Sequence, residues 1–272
     1  MKTVPSDELE HLVRLVQEST KYAAISPDLI RSLGAQELNK RSDLKQAVKS
    51  TRSKLHQVGS AYQEKAIPYP SLLNDLADLN NPLSDPSMLE VLKRFMTFHT
   101  SSRERLPILD RIFSEALAPI APVKSILDIA CGFNPLAIPW MPLAPDFTYQ
   151  ALDIYTPMIV FLNAFFSKFK INGRAEVIDV LEHLPQQPVH LAMLLKTIPC
   201  LEQIDKQAGR RLLENISAEN LLVSFPAHSL GGRPKGMVQN YEAHFRELTA
   251  RQPWKITRFE FPGELVFLVQ KT

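Results

Sequence analysis

The stretch VKSILDIACGFNPLA, residues 123–137, decides the fold. It opens as an apolar run of strand length, Val123 to Ile129, and then brings a cysteine, one glycine and a proline to the point where a strand should turn into a helix. Working outward, further runs of strand length follow: TYQALDI (148–154), AEVIDV (175–180), VHLAMLLK (189–196) and NLLVSFP (220–226), spaced to hold crossover helices. Such alternation, with strands apolar on both faces, predicts a mostly parallel, doubly wound α/β sheet of the Rossmann-like kind. The last two runs, WKITRFEF (254–261) and ELVFLVQK (264–271), are separated only by Pro262 and Gly263, a hairpin signal. One antiparallel edge strand is therefore expected.

Before residue 100 the texture is helical. Ser6, Asp7 and Glu8 start a helix whose Leu9, Leu12, Val13 and Val16 recur at helical spacing, and a second follows Ser26-Pro27 with Gly34 near its end. A third is expected from Ser42, with Leu44, Val48, Leu55 and Val58 on one stripe and Arg41, Lys45, Lys49 and Arg52 on the next. Between Lys40 and His56 only Asp43 opposes seven basic or histidine side chains, although the whole chain carries just +2. Prolines at 68, 70, 82 and 86 bound a short helix near 71–79 and a longer one over 87–98.

Composition narrows the class. With 272 residues, 45% of them hydrophobic, the chain can bury one large or two modest cores. Acids interrupt MKTVPSDELEHLV before a signal sequence could form, and no apolar run is long enough to span a bilayer, so no membrane association and a cytoplasmic location are expected. Cys131 and Cys200 stand alone, without zinc-ligand spacing, and no metal is expected.

In open α/β sheets, ligands bind beyond the carboxyl ends of the strands. No GxGxxG follows the first strand, so a dinucleotide pyrophosphate has no cradle. Gly132 allows close backbone approach, Asp153 ends the second strand where ribose hydroxyls can donate to it, and Asp179 ends the third where an adenine edge can. Each acid could equally be a helix cap. Together they describe an adenosyl ligand, and S-adenosyl-L-methionine fits best.

Three motifs then stand together: HTSSRERL (99–106), LDIACGFNPLA (127–137) and SFPAHSLGGRPKGMVQNY (224–241), accompanied by LLKTIPCLEQ (194–203) and LHQVGSAY (55–62). They closely resemble the aminoglycoside-resistance 16S rRNA guanine-N7 methyltransferases, which modify guanine-1405. The resemblance runs from about residue 20 to the end. It implies a helical domain, residues 1–105, docking on the 30S ribosomal subunit, and a methyltransferase domain, residues 106–272. By motif position, His99, Thr100, Ser101 and Arg105 would line the methionine end of the donor, with Arg105 pairing its carboxylate. Ala130 and Gly132 would give close backbone contact, Asp153 the ribose contact, Asp179 and Val180 the adenine contact, with Leu195 and Ile204 flanking the pocket. RNA contacts are expected from Arg41, Lys45, Lys49 and Arg52, from Lys196, and from His228, Arg233 and Lys235. His228 departs from the Lys or Arg usual there, and Lys196 could instead cap its strand.

Guanine N7 has an in-plane lone pair and no proton, so in-line transfer needs positioning and no catalytic acid or base. A separate resistance family that modifies a nearby adenine lacks the HTSSRERL and SFP pairing. Asp153, Asp179 and Arg105 argue against an idle ribosome-binding protein, and the distant basic helix argues against a small-molecule methyltransferase. A monomer suffices for docking on a ribosomal subunit.

Overall fold

The computed structural model of the protein describes residues 5–41, 43–58, 66–227 and 236–271. Ser42, the side chain of Val58, Gly59 to Tyr62 of LHQVGSAY, and His228, Arg233 and Lys235 lie outside the described residues.

Among the described residues, seven α-helices precede the first strand: α1 (Ser6–Gln17), α2 (Pro27–Lys40), α3 (Leu44–Val58), α4 (Tyr69–Ala77), α5 (Pro86–Met96), α6 (Thr100–Arg105) and α7 (Leu109–Leu117). Their starts follow local chemistry. Asp85 caps α5, its carboxylate accepting from the Ser87 amide at 2.8 Å, and Pro86 occupies the first turn where no amide partner is lost. Met88, Leu92, Phe95 and Met96, spaced for one face, are then all buried. Gly34 does not end α2, as its residue type suggested. The helix runs on to Lys40, and a Cβ at Gly34 would stand 2.5 Å from Leu12 Cδ2, so this glycine serves the close crossing of α1 and α2.

The sheet holds β1 (Val123–Ile129), β2 (Leu143–Asp153), β3 (Gly173–Val177), β4 (Val189–Leu195), β5 (Ala218–Pro226), β6 (Lys255–Phe261) and β7 (Glu264–Gln270), in the order β3-β2-β1-β4-β5-β7-β6. All neighbours are parallel except those of β7, which runs antiparallel to both β5 and β6. The antiparallel strand is therefore inserted in the sheet, and β6 takes the edge. The reason is composition: β7 is buried along almost its whole length, whereas β6 exposes Lys255, Ile256, Arg258 and Glu260, and charge on an edge discourages pairing with another chain.

Successive strand residues feed opposite cores. Ile126, Tyr149 and Met193 join the core formed with α1 to α5, α7 and α8 (Thr156–Lys168), while Leu127, Leu152 and Ala192 pack with α9 (Ile198–Leu201), α10 (Ala208–Asn215) and α11 (Met237–Thr249). The chain reverses its winding between β1 and β4, which opens a crevice at their carboxyl ends.

Candidate active site

That crevice is a pocket of about 820 Å³, counting its open mouth. Strand-end turns build it. After β1, Ala130 and Gly132 both adopt positive φ (53° and 52°), and after β4 Lys196 does the same at 59°. Non-glycine residues in this region each store on the order of 1–3 kcal/mol and persist only where the surroundings hold them. Here the Cys131 amide donates to the Leu152 carbonyl at 2.9 Å, and the Lys196 amide donates to the Ser224 carbonyl and hydroxyl, both at 3.0 Å. Gly132 is required twice over, by its φ and because a Cβ would meet the His99 ring at 2.5 Å.

The sequence-predicted residues His99, Ser101, Ala130, Asp153, Asp179, Val180, Leu195, Lys196 and Ile204 share the pocket wall. Asp153 is 8% exposed, and its carboxylate accepts from the Gly132 amide at 3.0 Å and the Ile154 amide at 2.7 Å. Burial raises its pKa, opposed by these bonds and one from the Tyr155 amide. Three amides do not fill a carboxylate's roughly four lone-pair sites, which leaves capacity for a further donor. Asp179 stands two residues beyond β3, accepting from the Leu181 amide at 3.0 Å, and burial likewise raises its pKa. Burial first, then the charges of Arg105, Lys196 and Arg103, push the His99 pKa down to about 3, so the imidazole is neutral at physiological pH.

Thr100, Arg105 and Gly132 lie behind this wall, all buried. Arg105 is 1% exposed and donates to both Glu264 oxygens (2.8 to 3.3 Å) and to Asn134 Oδ1 at 2.7 Å. Burial pushes Glu264 up, but Arg105, Lys196 and the Ser224 hydroxyl at 2.6 Å outweigh it, and its pKa falls below the ordinary range. Asn134 passes the network on, donating to Asp128 at 3.3 Å, and the Tyr149 hydroxyl donates to the same carboxyl at 2.8 Å. Asp128 is fully buried, and desolvation lifts its pKa to about 7 against those two bonds.

Lys196 departs from its expected role at the RNA. It is 3% exposed, and its ammonium donates to Glu104 at 2.7 Å and lies 3.7 Å from Glu264, so it belongs to the pocket wall and the buried network. Of the four basic residues expected to meet RNA on or next to α3, Lys45 and Lys49 are exposed. Arg41 pairs with the buried Glu37, and Arg52 is half-buried with its guanidinium donating to the Leu15 carbonyl.

Sequence reasoning missed Asn134, Glu264 and Leu29, the last of which lines the pocket from α2. Glu264 had a signal, an acid opening an otherwise apolar strand, and Asn134 lies inside the quoted turn. Leu29 had none, being one apolar residue of a helix stripe.

Over residues 18–268 the chain matches the family described as ribosomal RNA methyltransferase (FmrO). It belongs to that family. Among its curated relatives, a 16S rRNA (guanine(1405)-N(7))-methyltransferase of Micromonospora echinospora is 33% identical over 99% of both chains, and one of Serratia marcescens is 30% identical over 93% of this chain and 94% of that one. The 16S rRNA methyltransferase RmtF, solved with S-adenosyl-L-homocysteine, is 26% identical with a TM-score of 0.81, covering 99% of this chain and 100% of that one. The FmrO-family match spans both the helical segment and the sheet, so the pocket and the basic helix are both parts of the family's common body.

Proposed function

We propose that the protein transfers the methyl group of S-adenosyl-L-methionine to N7 of guanine-1405 in 16S rRNA. The observation that carries this reading is the strand-end pocket with Asp153 and Asp179 on adjacent turns, in a chain whose full-length relatives are named for that reaction. The residues fit the donor. Asp153 keeps acceptor capacity for ribose hydroxyls, Asp179 and Val180 offer a polar edge and an apolar face for adenine, and Gly132 leaves room for close approach. Bound there, the donor supplies an electrophilic sulfonium methyl.

The chain's own part is to bind, orient and exclude water. N7 attacks with a lone pair and loses no proton, so neutral His99 need take none, and it serves as a wall of the site. Arg105 is held in place by Glu264 and Asn134, behind Ser101, where the donor's carboxylate end is expected. In-line positioning of this kind can supply about 7–11 kcal/mol of a barrier. Extruding a stacked guanine costs a few kcal/mol, which contacts to the surrounding RNA must offset.

The assembled 30S subunit is the substrate on this reading, with residues 1–105 as the docking domain and the exposed Lys45 and Lys49 as phosphate contacts. Arg233 and Lys235 of the SFP motif would grip RNA near the target base. The protein acts as a monomer in the cytoplasm, and no helix among the described residues is long and apolar enough to cross a membrane. Methylation at N7 adds bulk and positive charge where 4,6-disubstituted deoxystreptamines such as kanamycin and gentamicin bind, so expressing cells resist them. Primer-extension mapping of 16S rRNA from expressing cells tests the reading: a modified guanine-1405 is expected, and modification elsewhere, or none with the drug-sensitive phenotype retained, would overturn it.

A further inference from the structure

The pocket is not built by the sheet alone. Leu29, on the first turn of α2 and 2% exposed, faces the same space as Asp153 and Asp179. It is held there by a clasp. Ile25 bridges Tyr155, the Ser26 amide donates to the Ile154 carbonyl at 2.9 Å, and the Thr156 amide donates to the Ala24 carbonyl at 3.1 Å. A second tie joins α2 to the turn after β3, where the Ser32 hydroxyl donates to Glu182 at 3.2 Å. These ties fall on the two turns that carry Asp153 and Asp179, since Ile154, Tyr155 and Leu181 line the pocket as well.

The neighbouring helix α3, which packs on both α1 and α2, bears the basic face. Arg52 of α3 donates to the Leu15 carbonyl of α1, Lys54 of α3 pairs with Glu37 of α2 at 2.8 Å, and Gln17 of α1 donates to the Ile25 carbonyl at 3.4 Å. A chain of packed helices and polar ties therefore runs from the exposed Lys45 and Lys49 to Leu29.

We propose that the α1–α2 corner is a wall of the methyl-donor site, with Leu29 a donor-contacting side chain supplied by the docking helices, so that donor binding and 30S docking strengthen one another. The proposal rests on the donor reading of the pocket given above. A ligand seated against Leu29, Ile154 and Tyr155 orders the clasp. Docking orders the helices that carry the same clasp, so whichever event comes first lowers the ordering cost of the second. Linkage requires the factor by which S-adenosylhomocysteine tightens 30S binding to equal the factor by which 30S tightens S-adenosylhomocysteine binding.

The test uses the full chain, S-adenosylhomocysteine and 30S subunits. Leu29→Ala should lower S-adenosylhomocysteine affinity by calorimetry about tenfold or more, as expected when apolar surface is removed from a pocket, while Leu29→Met restores it. In wild type the ligand should tighten 30S binding about fivefold or more, and Leu29→Ala should reduce that ratio toward one. Wild-type amide exchange provides a readout independent of any variant: the ligand should slow exchange at Ser26 and Thr156, whose amides make the clasp. Wild-type ligand affinity in a folded Leu29→Ala protein, a coupling ratio of one, or unchanged exchange at both amides would each overturn the proposal. Asp153→Asn separates its failure from that of the underlying reading. If Asp153→Asn loses the ligand while Leu29→Ala keeps it, the corner is not a wall; if both keep it, the pocket is not the donor site.

Discussion

The pocket floor and the outer face of α3 both carry basic residues, and they use them in opposite ways. Beneath the pocket Arg105 and Lys196 are 1% and 3% exposed, and each is surrounded by carboxylates and hydrogen-bond partners. On α3, Lys45 and Lys49 stand in solvent, while Arg52 and, just before the helix, Arg41 direct their charge to the Leu15 carbonyl and Glu37. A charge out of water must be paired, so burial fixes its position and makes its partners indispensable. A charge in water costs little to keep, leaves its partner to be chosen later, and is screened by salt. The first arrangement suits holding a small ligand in register, and the second suits meeting a polyanion.

Removing Glu264 should break this contrast most severely. Glu264→Ala leaves Arg105 and Lys196 buried beside an empty space, and a loss of about 3–5 kcal/mol is expected from denaturant unfolding. A loss under about 1 kcal/mol would mean that both cations find water or other partners, and that the floor behaves like the surface.

Asp128 should make the floor sensitive to pH. Its folded pKa, about 7, lies above the ordinary aspartate value of 3.8, so between those values the folded state holds a proton that the unfolded state has released. Stability should therefore fall as pH rises from about 4 to about 7 and level off above, by up to a few kcal/mol from this group. The difference between wild type and Asp128→Asn across that range isolates it. A difference that does not change with pH would show that Asp128 is ionised throughout.

Asp153→Asn sharpens the comparison at the ligand. Losing a charged acceptor should weaken S-adenosylhomocysteine binding by about 1–3 kcal/mol in calorimetry, with 30S affinity measured without ligand unchanged. Lys45→Glu with Lys49→Glu should do the reverse. Ligand affinity of the free enzyme should stay the same, 30S affinity should drop, and the salt slope should shrink by about one unit for each phosphate that the variant no longer neutralises. Equal affinity and slope at two salt concentrations would leave α3 a solvated face.

What the sequence determined by itself was periodic or local. Apolar runs of strand length, helical stripes and the Pro262-Gly263 turn specified a doubly wound sheet, because pleat and helix repeats are set by neighbours along the chain. The turns that place Asp153 and Asp179 were legible for the same reason, and the motifs around them made the family recognisable. Tertiary structure alone decided the rest. β7 enters the sheet interior because its apolar faces need cover that an edge would not give, and no pattern within ELVFLVQK names the strands beside it. Lys196 turns from an RNA candidate into a buried partner of Glu104 and Glu264, residues 92 and 68 positions away in the chain. Whether a lysine meets water or a carboxylate depends on what the fold brings to it across such distances, and so does the placing of Leu29, an ordinary stripe leucine until α2 lies over the strand ends.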